Sequence, residues 1–526
     1  KDQPQLCLLF NPSDDTPINH LRGEFIPEAI GAGAICRFPM RTVLCMDKNN
    51  AGINESGNGS YVAFGNASPA FMYNKAVVGP KYNDYIPNLK WSQMSFDNEE
   101  KIRCYIESLF MMIRAKVIQS GASLSQTQIM CFYPISMSPL KQGLFKRIWD
   151  GAYHKYFNTA SNPIMITESI APYSYFQQTR RDVSDIVTID IGGGTTDIVV
   201  ADANGVKCIT SMRFAADAIF GDILVAVNNG SLNGIIRQFK DEFVVNLQGT
   251  ETKELKDMLV NMTAGNVGNS SEVASFLFSL VENEEIRKYG MAGQVDFNAI
   301  LARDNTQKIV FFIFYSAIVY HIANLMKIRG LQSPLNIAFS GNGSKVISVL
   351  TPNQMTLEEL TTRIFKSVYS DKDIKDVRLI INSVNPKEAT CKGGLFLGHE
   401  PNDIRSAKAI LLTNKLVTNE TYSSVKDLYE DVIGEVRKFV DLIFLKLARD
   451  MSLSSNFGID PSYVQLALKC FETKYLETYI EKGVNLKLQS KDVGKEDTIE
   501  ETLFFYPIIG AINDLSNRIC DMNMKN

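Results

Sequence analysis

Asp190 and Asp197 bracket the run Ile191-Gly192-Gly193-Gly194-Thr195-Thr196, a set of residue types suited to holding phosphate. Apolar and β-branched residues on either side, Val187-Thr188-Ile189 and Ile198-Val199-Val200, supply strand propensity. The glycines permit positive φ and let backbone N–H groups approach an anion with no Cβ in the way. At the end of its strand, Asp190 can face a metal ion instead of the phosphates it would repel. Mg²⁺ would then offset the charge between phosphate and carboxylate, while neutral N–H and hydroxyl donors cradle the anion. A simple hairpin turn uses the same residue types, because tight turns also need positive φ. The rest of the chain must separate the two readings.

Four further segments bear on it. Ile166-Thr167-Glu168-Ser169-Ile170-Ala171-Pro172 runs from a strand end into a helix, where a lone Glu is favoured by the helix dipole. Phe214-Ala215-Ala216-Asp217-Ala218-Ile219-Phe220-Gly221-Asp222 reads as a turn entering a helix that carries Asp217 and Asp222 on its surface. Ile337-Ala338-Phe339-Ser340-Gly341-Asn342-Gly343-Ser344-Lys345-Val346 reads as a buried strand breaking into a glycine turn and then a helix, whose N-terminus would face phosphate. Asn385-Pro386-Lys387-Glu388-Ala389-Thr390-Cys391-Lys392-Gly393-Gly394 reads as structural.

The hairpin sequence D-I-G-G-G-T-T-D resembles, residue for residue, the second phosphate motif of the actin, heat-shock chaperone and sugar kinase superfamily, most closely its chaperone-like and bacterial actin-like branches. In the same order along the chain, the Glu168 segment is similar to the family's connecting motif, the Gly341 turn to its adenosine motif, and the Gly393-Gly394 segment to the one that closes its second domain. The resemblance covers about residues 128–397. It implies ATP or ADP with Mg²⁺ as cofactors. Asp190 would hold Mg²⁺ through water and Glu168 and Asp197 would position water. Gly192, Gly193, Gly194, Thr195 and Thr196 would hold phosphate, and Gly341, Gly343, Ser344 and Lys345 adenosine. Two departures stand out: Asn342 separates Gly341 from Gly343, and Phe220-Gly221 replaces a Gly-Gly pair. The family's first phosphate hairpin, D-x-G-T, has no counterpart in the sequence. Because Leu6 to Phe10 reads as a strand of that sheet, the hairpin is expected upstream of Lys1. A lysine of the first domain approaches the γ-phosphate in chaperones, and Lys90 has the most similar placement.

Bulk properties fit this reading. With 526 residues the chain exceeds one ordinary core, so two or three domains are expected. Hydrophobic residues at 45% and charged residues at 21% are those of a soluble globular protein, and a net charge of −4 disfavours a general nucleic-acid binder. Nine cysteines, scattered and never in a C-x-x-C pair, disfavour a disulfide framework or zinc site and suit a cytoplasmic protein. No signal peptide is expected from the polar Lys1-Asp2-Gln3-Pro4-Gln5, and the absence of an initiator Met points to a natural start further upstream. Ile309 to Met326 lacks charge and is long enough to be a short membrane span. Its Tyr315, Ser316, Tyr320, His321 and Asn324 favour a buried core helix instead, with His321 a core histidine.

Short apolar runs at Leu6 to Phe10, Thr42 to Met46 and Tyr61 to Phe64 read as strands of one sheet. Helices are expected at Asn98 to Ser120, Lys141 to Phe157 and Ser169 to Phe176, with strands at Gln128 to Tyr133 and Ile164 to Ile166. After the hairpin, Lys207 to Met212 and Leu335 to Phe339 read as strands, and Asp217 to Asn228 and much of Val273 to Met326 as helix. Thr263 to Ser271 reads as a loop. The order is that of an α/β wound sheet, and the resemblance implies a two-domain actin-like ATPase fold, a duplicated wound sheet. The expected division is 1–160, 161–398 and a mainly helical C-terminal appendage, 399–526. That appendage packs on the nucleotide domain or meets a partner. The function implied is a Mg-ATP-binding chaperone-like or actin-like protein, a slow ATPase whose domain closure acts on a protein partner. A filament-forming actin-like protein that self-associates and a non-hydrolysing nucleotide-binding module are the alternatives.

Overall fold

The computed structural model describes five early strands through their backbone. From Ser95 onward it describes every residue except 158–160, 181–184, 222–230, 267–268, 382–387, 400–406, 414, 418, 490–492 and 525–526. Lys90, Asp222 and Asn385 to Lys387 lie outside the described residues. The chain divides into two compact units, 1–182 with 384–406, and 183–383 with 407–526.

In the first unit β1 (Leu6–Leu9) pairs antiparallel with β2 (Phe25–Glu28), and β3 (Val43–Asp47) lies between β4 (Ser60–Phe64) and β5 (Tyr82–Ile86). The three apolar runs expected in one sheet thus occupy two. Each sheet is completed by a strand whose sequence hides it: Pro27 interrupts β2, where an edge position tolerates it, and Asn83-Asp84 interrupts β5. β6 (Met130–Tyr133) and β7 (Ile164–Thr167) run parallel, Phe132 opposite Ile166. This pairing ties residues 161–182 to the first unit, so the division falls near 182 and not at 160. The helix Phe96–Gln119 buries Ile102, Ile106, Phe110, Ile113 and Val117, four or three residues apart as the pattern requires, against Leu144, Ile148 and Ala152 of Pro139–Phe157. Further on, the helix Ile170–Thr179 packs on Glu388–Leu397. A Cβ on Gly393 would stand 1.7 Å from the Ala171 carbonyl oxygen. That contact explains the Gly393-Gly394 pair, and it places the segment in the first unit.

The second unit is built on a five-stranded sheet: β10 (Gly205–Met212), β9 (Thr196–Asp202), β8 (Ile186–Ile191), β11 (Asn336–Ser340) and β12 (Arg378–Ile381), in that spatial order. β8, β9 and β10 form an antiparallel meander, while β11 runs parallel to β8 and β12 parallel to β11. Every residue of β8 is buried, as expected of a strand covered on both faces.

The helix Lys308–Ile328 is the core helix of this unit, buried along Ile309 to Ala323. It is the one helix among the described residues long and apolar enough to cross a membrane, and 94% of its apolar window is buried inside the protein. Its tyrosines find partners there, Tyr315 sharing a hydrogen bond with Thr361 at 2.6 Å and Tyr320 donating to Glu435 at 2.7 Å, while the buried Ser316 hydroxyl has none.

The C-terminal region belongs to the same core. Helices Tyr429–Val440, Pro461–Cys470, Thr473–Gln489 and Phe505–Asn523 follow one another, and the last buries Phe505, Ile508, Ile509, Ile512 and Leu515. A Cβ on Gly234 would stand 2.1 Å from the Ser516 carbonyl oxygen, so the helix Gly234–Asn246 meets it backbone to backbone. Buried Glu501 accepts a hydrogen bond from Tyr422 at 2.7 Å and pairs with Lys487 at 3.3 Å. Burial would raise its carboxyl, yet the Lys487 and Arg213 charges hold it below the usual carboxylate value. The six cysteines whose side chains are described form no disulfide with one another.

His321 sits against Phe504 and Phe505, and burial lowers its pKa from 6.5 to about 3. Between those values the unfolded chain binds a proton there that the fold does not. Stability falls with falling pH across that window by up to about 1.4 kcal/mol per unit. His321→Phe is expected to reduce this acid-side loss, measured as urea midpoints at pH 6.5 and pH 4.5. Identical pH slopes in the two proteins would count against it.

Candidate functional site

β8 ends at Ile191 and β9 begins at Thr196, and the turn between them is closed by the Gly192 N–H donating to the Thr195 carbonyl at 2.9 Å. The register sets Asp190 opposite Asp197. On the outer sides Ser340 of β11 lies opposite Asp190 and Ser211 of β10 opposite Asp197. Registered neighbours share a sheet face, so these four side chains form one row, Ser340–Asp190–Asp197–Ser211. Their exposures are 0, 7, 4 and 4%. The hydroxyls of Ser340 and Ser211 have no hydrogen-bond partner, nor has that of Thr188, one layer below Asp190 on the same face. Buried hydroxyls without partners are costly, and like charges directly opposed on a sheet repel.

That row supplies a fit test for a divalent cation. Among the described residues no three His, Cys, Asp or Glu side chains converge, so a closed protein cage is absent there. Mg²⁺ instead keeps several waters and uses one or two carboxylates. An Asp pair flanked by unsatisfied hydroxyls is a donor set of that kind, and the residues fit.

The glycine triplet differs from expectation in its backbone. None of Gly192, Gly193 and Gly194 has positive φ; in this neighbourhood that conformation belongs to Gly221 and Gly341. The triplet is held by its carbonyls. Those of Gly192 and Gly193 accept from the N–H groups of Ala216 and Asp217 at 3.3 and 2.8 Å. In a trans peptide the N–H points opposite to the C=O, and cis peptides are absent among the described residues. The clasp therefore turns the amides of Gly193 and Gly194 away from residues 216–217. Both glycines are partly exposed, so a ligand can reach them.

The turn after β11 packs directly on this hairpin. Gly341 has φ 78°, and a Cβ there would stand 2.1 Å from Asp190 Oδ1; one on Gly343 would stand 2.3 Å from the Gly192 carbonyl oxygen. The chain then makes a 3₁₀ turn, Asn342–Val346, and a single helical turn, Ile347–Leu350. The helix expected after the glycine turn is thus short, because Thr351 is extended and Pro352 follows. Ser344 is buried and its hydroxyl donates to the Gly341 carbonyl at 2.6 Å, which fixes the turn. Lys345 is half-buried on the 3₁₀ turn.

The structure thus brings Asp190, Asp197, Gly192, Gly193, Gly194, Thr195, Gly341, Gly343, Ser344 and Lys345 into one region of the second unit. Thr196 is the exception by chemistry: one step along β9 from Asp197, it faces the other side of the sheet and its hydroxyl donates to the Phe214 carbonyl at 2.6 Å. Glu168 belongs to the first unit, just past β7, where its N–H donates to the Tyr133 carbonyl at 2.9 Å. Asp217 is not a surface residue of a long helix. Its helix is Ala216–Ile219, and its Oδ1 accepts from Ser271 Oγ at 2.8 Å. Ser271 falls in what reads as a loop, yet Asn269 caps a helix there by accepting from the Glu272 N–H. The spacing Asn269-x-x-Glu272 is the sequence signal for that start.

No protein-family model and no curated protein sequence matches the chain. Crystal structures of MreB5 of Spiroplasma citri, one bound to ADP and one to AMPPNP, are similar to it, each with 13% sequence identity and a TM-score of 0.33 over 71% of this chain and 92% of theirs.

Gly341→Ala is expected to cost about 2 kcal/mol or more, because it combines a strained φ with a collision against Asp190. Thr196→Val is expected to cost about 1 kcal/mol through the lost bond to Phe214. Urea denaturation measures both. A Gly341→Ala loss below that of Thr196→Val would contradict the geometry.

Proposed function

We propose that the second unit carries the phosphate and adenosine sides of a nucleotide site, and that the chain is an actin-like Mg-nucleotide-binding protein. The observation that carries this reading is the clasp at Gly192 and Gly193, which turns two consecutive, reachable amides to one side beside a buried carboxylate. An anion accepts from such amides with no side chain to displace. Gly341 and Gly343 pack against the same strand end, which sets the turn that resembles the adenosine motif beside the hairpin. The order of the segments along the chain, matching that of the actin, chaperone and sugar kinase superfamily, supports the same assignment.

Bound Mg²⁺ would supply the positive charge that lets phosphate oxygens lie near Asp190 and Asp197. The remaining work falls to the chain's own groups. The Gly193 and Gly194 amides orient the phosphate, Asp190 fixes the side from which hydrated metal approaches, and Asp197 accepts a hydrogen bond from water at its carboxylate and so positions it. Glu168 stands in the proposal on its motif alone. Slow hydrolysis by positioning, with nucleotide-dependent closure acting on a protein partner, extends the binding reading.

Calorimetric titration with ADP and ATP, with and without Mg²⁺, tests the site. Mg²⁺ is expected to tighten binding by the wild-type protein at least about tenfold, a coupling of ordinary size, and Asp190→Ala is expected to abolish that gain. Equal, metal-independent binding by both proteins would sink the proposal.

A further inference from the structure

The C-terminal helix Phe505–Asn523 lies outside the segments that resemble known motifs, yet two separate routes join it to the glycine turn. The first is hydrogen-bonded. Asn513 Oδ1 accepts from Asn233 Nδ2 at 2.7 Å, and the same Nδ2 donates to the Ile219 carbonyl at 3.3 Å. The Asn233 N–H donates to Ser270 Oγ at 2.8 Å, and the adjacent Ser271 Oγ donates to Asp217 Oδ1. Asp217 in turn gives its N–H to the Gly193 carbonyl. Gly221 makes room for this route: its φ is 84°, and a Cβ there would stand 2.5 Å from Asn513 Oδ1. The second route is aromatic. Phe505 stacks on Phe214 with ring centroids 4.4 Å apart, and the Phe214 carbonyl accepts the Thr196 hydroxyl at the base of the hairpin.

We infer that Asn513, Asn233 and Ser271 are positioning residues, through which the C-terminal helix sets the direction of the Gly193 and Gly194 amides. Asn513 fixes Asn233, Asn233 donates to the Ile219 carbonyl, Ile219 ends the one-turn helix that begins with Ala216 and Asp217, and those two N–H groups fix the carbonyls of the turn. A four-residue helix has no stability of its own. Its position is therefore whatever Asn233, Asn513 and Ser271 impose. Anything that shifts the C-terminal helix alters the anion cradle, and by linkage an anion bound in the cradle tightens the docking of the helix.

Hydrogen exchange of the full nucleotide-free chain tests the positioning without relying on the nucleotide reading. Asn513→Ala and Ser271→Ala are each expected to speed exchange of the Ala216, Asp217 and Gly192 amides about tenfold, with Gln354–Tyr369 unchanged. The double variant should be no faster than the faster single, as for residues in one network. Asp217→Asn, which keeps the accepting oxygen, is expected to stay near the wild-type rate. Faster exchange confined to residues 505–523 and 234–246 would overturn the inference, as would additive effects in the double variant. Ser271→Ala removes one hydroxyl, so it remains informative should Asn513→Ala fail to fold. A second arm, ADP titration, rests on the proposed function: Ser271→Ala should weaken binding about tenfold, and unchanged affinity would overturn the link from clasp to ligand. Failure of the wild-type protein to bind ADP would instead strike the nucleotide reading, while the exchange rates still decide the positioning.

Discussion

Two hydrogen bonds, from the Ala216 and Asp217 N–H groups to the Gly192 and Gly193 carbonyls, decide what the glycine turn offers to a ligand. A peptide unit is a rigid plate, so holding its oxygen on one side commits its N–H to the other. Most of the surrounding structure serves that commitment. The meander of β8, β9 and β10 brings residue 216 back to the turn it must clasp, and Gly341 and Gly343 allow β11 to end against the same place. Small residues at those two positions follow from backbone meeting backbone, a stricter demand than turn geometry.

The helical region that looks like an addition is instead part of the second core. Phe505 stacks on Phe214, His321 is enclosed by Phe504 and Phe505, and Gly234 touches the Ser516 backbone. An appendage that only covered an existing surface would leave its host's polar groups satisfied. Here Gln307 donates to the Ser516 carbonyl and Asn233 to Asn513, so removing the helix would take hydrogen bonds from the sheet domain as well as expose apolar area.

Much of this was legible in the residues where local chemistry and tertiary structure agree. The run Val187 to Val200 carries its strands, turn and carboxylates within a few positions, and the helix Lys308–Ile328 declares itself by length and apolarity. Legibility ended where a contact between distant segments sets the outcome. Pro27 and Asn83-Asp84 disguise strands that exist because a neighbour pairs with them. Thr196 resembles a phosphate ligand, but strand alternation turns it toward Phe214. Asn233 and Asn513 are unremarkable in sequence, being 280 positions apart, and Ser211 and Ser340 gain meaning only from a register that places them beside the aspartates.

That separation of 280 positions has a bearing on how the protein is made. Chains emerge from the ribosome at about 5–20 residues per second, and domains tend to fold as units once complete. The glycine hairpin is synthesised long before Phe505 arrives to stack on Phe214, and in between the chain leaves the second unit for residues 384–406 before returning to it. During that interval Phe214 and His321 lack the ring that closes over them. The nascent chain therefore passes through a stage with an aromatic surface open to solvent, when it is most in need of a chaperone and most prone to aggregate.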